Sequence, residues 1–349
     1  MEHLTGGLPD NSKFAIIAMS NVATDIQEAL ISYGDSTFVS VKLPFNLAAH
    51  WLDWLGRIES DNLTGCNLFI ERFRSSGVAA NELNTVDSVN TELQSYAYSV
   101  FSLLHLLGTW EYERGKAYLL TGYIKDGIAE VRQFTKLRPF DVTRGYARTV
   151  VIERSILQAL ELHRAVTDLK CLYPDDERLR FWRGYRALMD ALKRHDASDR
   201  LHGFVRSLEA LILPEKSNTE RQFVERCGIM AAPDAQEAKT RQMLGEAYKL
   251  RSDVEHVNEW DRSLVRLPSA EVRENHALWR TRQVEALACA AYRRILLNKA
   301  LHQHFMSDGD MRAFWDQRNI STARKLMGNV FDITAMPLVT SYHWGGRAF

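Results

Sequence analysis

The chain has 349 residues, of which 46% are hydrophobic and 25% charged, as in an ordinary globular protein of about two domains. Its formal net charge of +0 at pH 7 excludes a globally basic surface, so any surface that binds nucleic acid must be a local patch. The four cysteines stand far apart and form no C-x-x-C pair, which argues against a zinc ribbon or a thioredoxin-type motif.

Three features of the sequence favour a cytoplasmic location. Segment 1–12 lacks the basic and then apolar pattern of a signal peptide. No apolar run is long enough to span a bilayer. Scattered cysteines are typical of free thiols in a reducing compartment. We therefore expect a cytoplasmic protein without a membrane partner.

Residues 1–145 are predicted to form an α+β domain. Runs of β-forming residues and apolar residues spaced three and four apart predict two strands and then two helices: 14–18, 38–43, 47–58 and 89–107. The clearest signal is a hairpin over 117–137, because Asp126-Gly127 tolerates the positive φ that a tight turn needs. We expect strands to be confined to this first part of the chain.

The strand signals vanish near residue 150, which predicts an all-α helical bundle over 146–306 and a helical extension over 307–349. Apolar periodicity places the helices of the bundle in this order: 151–170, 179–195, 201–213, 219–230, 235–257 and 270 to about 305. Ser269 is the expected cap of the last of these helices. Residues 308–309 are expected to break the chain, and one or two short helices are expected over 310–327.

Arg251 and His256 stand five positions apart in the helix predicted over 235–257. An arginine holds a phosphate through a planar and permanently charged fork, and a histidine transfers a proton near neutral pH. The pair therefore suits cleavage of a phosphodiester. Because the chain is rich in arginine, chance alone could supply a pair at this spacing, so the surrounding residues must decide its meaning.

Residues 175–305 resemble the HEPN (higher eukaryotes and prokaryotes nucleotide-binding) family, and its Apea-like branch in particular. The resemblance rests on three segments in order: 200–211 with its "ALE"-type run, the basic amphipathic helix 220–230, and 244–257, where an apolar-Tyr segment leads into Arg-Ser and then His. A long helix follows, as in the family. The branch often has Gly directly after the His, where this chain has Val257.

The resemblance implies a metal-independent endoribonuclease in which the 2′-hydroxyl of the RNA attacks the neighbouring phosphorus. His256 would transfer the proton, and Arg251 would stabilise the charge that builds on the phosphoryl oxygens. Ser252 and Glu255 would orient or tune the pair, and Glu209 of the "ALE"-type run would support it. No cofactor and no metal ion are expected, and the setting would be stress response or phage defence.

The spacing of the pair also bears on assembly. Five residues of an ideal helix turn by about 140° and rise by about 7.5 Å, so one straight helix does not bring Arg251 and His256 onto one face. Either the helix ends inside the motif or a second copy completes the site. Since the family forms dimers with two motifs facing each other, we expect a homodimer with its two-fold axis near this helix. Residues 1–145 would be a sensing or regulatory module, with a regulatory protein as a possible partner.

Other interpretations of the same residues stay open. Three arginines are candidates for contacts with RNA phosphates: Arg206, Arg183 and Arg186. A solvated charged face would explain the helix with Arg183 and Arg186 equally well. Arg251 could instead form an i,i+4 ion pair with Glu255 on a surface helix. The bundle would then be a catalytically silent module for dimerisation and for binding nucleic acid or protein, which Val257 and the neutral net charge favour.

Overall fold

A computed structural model describes the chain over residues 8–20, 22, 24–26, 28–29, 32–33, 35–43, 46–74, 88–107, 116–137, 150–172, 179–194, 196–231, 236–255, 264–316, 320–328 and 330–336. The chain divides into two compact units. The N-terminal unit comprises residues 1–142 and 146–163, and the C-terminal unit comprises residues 143–145 and 164–349. The N-terminal unit is α+β and the C-terminal unit is mainly helical.

The N-terminal unit contains an eight-stranded mixed sheet. Its strands are β1 (Ser12–Met19), β2 (Glu28–Ala29), β3 (Ser32–Tyr33), β4 (Asp35–Ser40), β5 (Asn46–Leu47), β6 (Leu68–Arg74), β7 (Ala117–Lys125) and β8 (Ile128–Leu137). Its helices are α1 (Ala49–Thr64), α2 (Ser88–Leu107) and the first part of α3 (Glu153–Leu172). The strand order is β2-β4-β6-β1-β7-β8-β5, with β3 paired to β4. β1 is antiparallel to both β6 and β7, and β5 is parallel to β8.

The sheet is covered on both faces by helices. On one face Phe14 and Ile16 of β1 join a core cluster against which Trp51 and Leu55 of α1 pack. Successive strand residues point to opposite faces. On the other face the guanidinium of Arg72 in β6 lies 3.5 Å from the centre of a ring in α2, that of Tyr96. Both faces of the central strands are therefore buried, which explains why β1 is apolar on both sides.

The predicted hairpin is confirmed. β7 and β8 pair antiparallel around Asp126 and Gly127, whose φ values of 53° and 73° suit a tight two-residue turn. The central strand β6 was not predicted. Its short apolar run ends at Glu71, which is fully buried and accepts a hydrogen bond of 2.9 Å from the Ser40 hydroxyl of β4. Burial raises the pKa of Glu71 well above its ordinary value.

The C-terminal unit is built from helices in every described element. They are α4 (Arg180–Leu192), α5 (Ala197–Ile212), α6 (Thr219–Ala231), α7 (Glu237–Glu255), α8 (Ala270–Leu297), α9 (Lys299–His302), α10 (Asp308–Trp315) and α11 (Ile320–Met327), after the last part of α3. Among the described residues the strands all lie between Ser12 and Leu137, as predicted; past Leu137 the described extended pairing is an isolated bridge from Val151 to Thr24.

Helix α5 is the centre of this unit and packs against α4, α6, α7 and α8. Its Arg200 forms a buried ion pair of 2.8 Å with Glu285 of α8. Its last carbonyls accept hydrogen bonds from Arg226 of α6, which satisfies groups that every helix end leaves open. α5 is therefore joined to a neighbouring helix near each of its ends.

Three of the differences from the prediction have a local cause in the structure. α5 begins at Ala197, earlier than predicted, because the Asp196 carboxylate accepts hydrogen bonds from two backbone N–H groups of the first turn. Ser269 caps α8 as predicted, but α8 ends at Leu297 and not near residue 305, because Asn298 leaves the helical region and caps α9. The expected break at 308–309 is wrong, because Ser307 caps a helix there and these residues form the first turn of α10.

Candidate functional site

The candidate site lies where one face of α5 meets one face of α7. On α5 the residues are His202, Arg206 and Glu209, spaced four and three apart, so they share a stripe of the helix. On α7 they are Tyr248, Arg251 and Glu255, spaced three and four apart. Glu209 contacts Tyr248 and Arg251, whereas His202 lies beside Glu255. The two helices therefore run antiparallel here, and these six residues form the α5–α7 groove.

Arg251 is held between two carboxylates. Its Nη2 lies 3.3 Å from Oε2 of Glu209 across the groove, and its Nη1 lies 2.6 Å from Oε2 of Glu255 on its own helix. The side chains of Arg251 and Glu209 are only 15% and 14% exposed, whereas that of Glu255 is 34% exposed. Glu209 is therefore the fixed partner, and Glu255 is the partner that solvent or a ligand reaches.

Tyr248 completes the fixed side of the site. Its hydroxyl donates to Oε1 of Glu209 at 3.2 Å, so one carboxylate accepts from the phenol and from Arg251. Burial raises the pKa of Tyr248, and the charge of Glu209 raises it further. The Tyr248 ring packs at 5.2 Å from that of Phe223 on α6. The phenol therefore stays neutral and locks Glu209 in place.

One donor of Arg251 remains unused. Its Nε–H is buried and has no hydrogen-bond partner within the described part of the chain. Buried polar groups are normally satisfied, so this N–H is a donor that a bound acceptor oxygen could use. A phosphoryl or carboxylate oxygen is the acceptor that an arginine fork takes best.

His202 is part of this site, although it was not among the predicted residues. Its Nδ1 lies 3.7 Å from Oε1 of Glu255, and its side chain is 32% exposed. The sequence did hold a signal, since His202 precedes Glu209 by seven residues, or about two helical turns. Once Glu209 is placed in the site, that spacing puts His202 on the same face of α5.

The other predicted residues are distributed as follows. Ser252 is half-buried on α7, about 100° around the helix from Arg251. Arg206 is exposed on α5 within the groove stripe. Arg183 and Arg186 are exposed on α4, a different helix. His256 and Val257 lie outside the described residues.

The groove is polar and close to charge balance. Arg251 contributes one positive charge against the two carboxylates of Glu209 and Glu255, and Arg206 adds a second, exposed positive charge. Within the described ranges no group of three or more His, Cys, Asp or Glu side chains is arranged to hold a metal ion. Over the same ranges no helix is both long and apolar enough to cross a bilayer. The described groups can bind an oxyanion and transfer a proton.

Comparison with known proteins gives no match: no family model fits the chain, and no curated protein and no solved structure is significantly similar to it.

Proposed function

We propose that this protein is a metal-independent endoribonuclease of the HEPN type, acting on cellular RNA in stress response or phage defence. The observation that supports this most strongly is the meeting of Arg251 with Glu209. The resemblance singled out these two residues from separate segments of the sequence, and they lie 3.3 Å apart. Their shared contact with Tyr248, from the apolar-Tyr segment that resembles the family, adds a third member.

In the proposed reaction the 2′-hydroxyl oxygen attacks the adjacent phosphorus, and the bond from phosphorus to the 5′-oxygen breaks. His256 takes the proton of the 2′-hydroxyl as general base. Arg251 stabilises the negative charge that grows on the non-bridging oxygens. The products are a 2′,3′-cyclic phosphate and a free 5′-hydroxyl, and no oxidant or metal ion takes part.

RNA must displace a carboxylate to reach Arg251, and Glu255 is the one that yields. Glu209 is nearly buried and held by Tyr248, whereas Glu255 is one-third exposed near the end of the described part of α7. When Glu255 leaves Nη1, Arg251 keeps its buried partner and turns one edge of its fork to the phosphate. Glu209 then positions Arg251, and Glu255 gates access to it.

The proposal extends to assembly and to location. The protein acts as a cytoplasmic homodimer whose two motifs face each other, and the N-terminal α+β unit senses a signal or binds a regulatory protein. The two-fold arrangement would supply the groups that one straight helix cannot bring to one face.

The test is cleavage of total cellular RNA in EDTA by the wild type and by two matched variants. Arg251→Ala should lower cleavage by a factor of about 100 or more, because it removes charge stabilisation in the transition state. The control is Arg241→Ala on the same helix, where an exposed arginine also pairs with a glutamate four residues away. Arg241→Ala should cleave like the wild type. Full activity in Arg251→Ala, or activity that EDTA abolishes, would refute the mechanism.

A second function has its own support. The fork of Arg251 is occupied by two carboxylates, as in the surface ion pair that the i,i+4 spacing allows. In that case the bundle is a catalytically silent module for dimerisation and for binding nucleic acid or protein. Pure, folded protein that cleaves no cellular RNA under any of these conditions would favour this function over the first.

A further inference from the structure

A second histidine lies in the groove beside Arg251. His202 of α5 faces Glu255 of α7 at 3.7 Å, and Glu255 itself holds Arg251 at 2.6 Å. Arg206 is exposed one turn further along the same stripe of α5. His202 is one-third exposed, so a bound ligand can reach it, and the charged side chain of Glu255 lies beside it.

Cleavage by the 2′-hydroxyl needs two proton transfers. One group takes the proton of the attacking hydroxyl, and another gives a proton to the departing 5′-oxygen. Tyr248 is a poor donor to the leaving oxygen, because its hydroxyl is committed to Glu209 and burial raises its pKa. Arg251 does not give up its proton near neutral pH. Among the described side chains in the groove the histidine is His202, and an imidazole is the side chain that proteins most often use to give and take protons.

We propose, on the basis of the endoribonuclease function above, that His202 is the general acid that protonates the leaving 5′-oxygen. As the 2′-oxygen bonds to phosphorus, the electron pair of the breaking bond goes to the 5′-oxygen, which takes the proton of His202. The proton of the 2′-hydroxyl goes to His256. Exchange with solvent then restores both rings for the next cycle.

Glu255 supports the role of His202 as general acid. The ion pair between the two side chains exists only when the imidazole ring of His202 is protonated, and a general acid must be protonated. The charged groups around His202 come from two helices. Glu255 and Arg251 face it from α7, and Asp199, Arg206 and Glu209 lie on its own helix. When RNA displaces Glu255 from Arg251, Glu255 can still contact His202. The carboxylate of Glu255 thus links the access of the RNA phosphate to Arg251 with the protonated form of His202.

The experiment compares two forms of one RNA oligonucleotide that contains a site cleaved by the wild type. In one form the scissile linkage is an ordinary phosphodiester, and in the other its bridging 5′-oxygen is replaced by sulfur. A thiolate leaves without a proton, so it needs no general acid. His202→Ala and the more conservative His202→Gln should slow cleavage of the oxygen form about 100-fold or more and leave the sulfur form nearly unchanged. His256→Ala should slow both forms.

The pH profile gives a second readout, since a wild type that uses a general acid should lose rate at high pH and a variant without that acid should not. The control is His50→Ala, which also removes a histidine near a glutamate, Glu130 at 3.2 Å, but in the N-terminal unit. It should match the wild type on both substrates. Melting curves verify that each variant is folded, and His202→Gln keeps the test decisive if His202→Ala is not.

Two kinds of failure are separable. A wild type that cleaves no cellular RNA, and so provides no site for the oligonucleotide, contradicts the endoribonuclease function, and the role of His202 falls with it. An active wild type whose His202 variants keep full activity, or lose it equally on oxygen and sulfur substrates, overturns the general-acid role alone and leaves the endoribonuclease function standing.

Discussion

Replacing Glu246 by Gln should destabilise the C-terminal unit, because it leaves the buried charge of Arg280 without its carboxylate. Oε2 of Glu246 on α7 accepts from Nε and Nη2 of Arg280 on α8 at 2.8 and 2.5 Å, and Nε2 of His276 lies 3.0 Å from the same oxygen. Arg280 is only 6% exposed. Its remaining fork nitrogen donates to Gln283, whose amide in turn donates to the carbonyl of Ile333.

The size of the effect follows from burial. Breaking a fully buried ion pair by removing one partner costs about 3–5 kcal/mol. Glu246 is 29% exposed, so water screens part of the interaction, and the amide of Gln keeps one acceptor. We therefore expect a loss of about 2 kcal/mol, in line with a charged hydrogen bond. For a unit of this size the melting temperature should fall by roughly 4–8 °C.

The loss should depend on pH. Burial acts to raise the pKa of Glu246, but the hydrogen bond from His276 and the charge of Arg280 outweigh it and bring the pKa down from its ordinary value of 4.5 to about 2. Because the folded pKa lies below the unfolded one, the contribution of Glu246 is complete above pH 4.5 and is lost as the pH falls towards 2. The variant and the wild type should therefore converge in acid.

Thermal unfolding followed by circular dichroism at pH 7 and pH 3 measures both effects. The matched control is Glu237→Gln, which breaks an exposed i,i+4 pair with Arg241 on the same helix. It should change stability by less than about 0.5 kcal/mol at either pH. A melting temperature of Glu246→Gln equal to that of the wild type at pH 7, or a difference undiminished at pH 3, would refute the reasoning.

Three further predictions concern packing, capping and assembly. Gly184→Ala would place a Cβ 2.1 Å from the hydroxyl of Tyr292 and should lower stability by about 1–3 kcal/mol in a denaturant titration, whereas Gly228→Ala meets open space on α6 and should be neutral or stabilising. Arg226→Ala removes both side-chain hydrogen bonds to the end of α5 and should cost about 1–2 kcal/mol in the same assay; an unchanged midpoint would contradict that capping role. Light scattering should give a homodimer, and a monomer at high concentration would argue against a two-fold axis near Arg251.

The sequence predicted best those features of the fold that depend on residues adjacent in the chain. The turn at Asp126 and Gly127 and the cap at Ser269 depend on a few adjacent positions, and both were located correctly. The central strand β6 was missed because its buried Glu71 breaks the apolar pattern. A hydrogen bond from Ser40 of another strand offsets part of the cost of burying this carboxyl group. A contact across the sheet leaves no local signal.

The candidate site follows the same division. The contact of Arg251 with Glu255 follows from their spacing of four residues on one helix, and the sequence analysis included this ion pair as an alternative. The resemblance placed Glu209 among the supporting residues, but its contact with Arg251 was not predicted, since the two residues belong to different helices. The spacing of His202 from Glu209 indicates only the face of α5 on which it lies, whereas its position beside Glu255 depends on how α5 packs against α7.

The central claim is that the RNA supplies its own nucleophile, and a single substitution in the substrate tests it most directly. An RNA oligonucleotide is first mapped for cleavage by the wild type in EDTA, and the 2′-hydroxyl next to the cleaved phosphate is then replaced by hydrogen. Cleavage at that phosphate should stop while other sites in the same molecule are still cut, and the products should carry a 2′,3′-cyclic phosphate. Continued cleavage at the 2′-deoxy position, or products with a 5′-phosphate, would contradict the proposed mechanism.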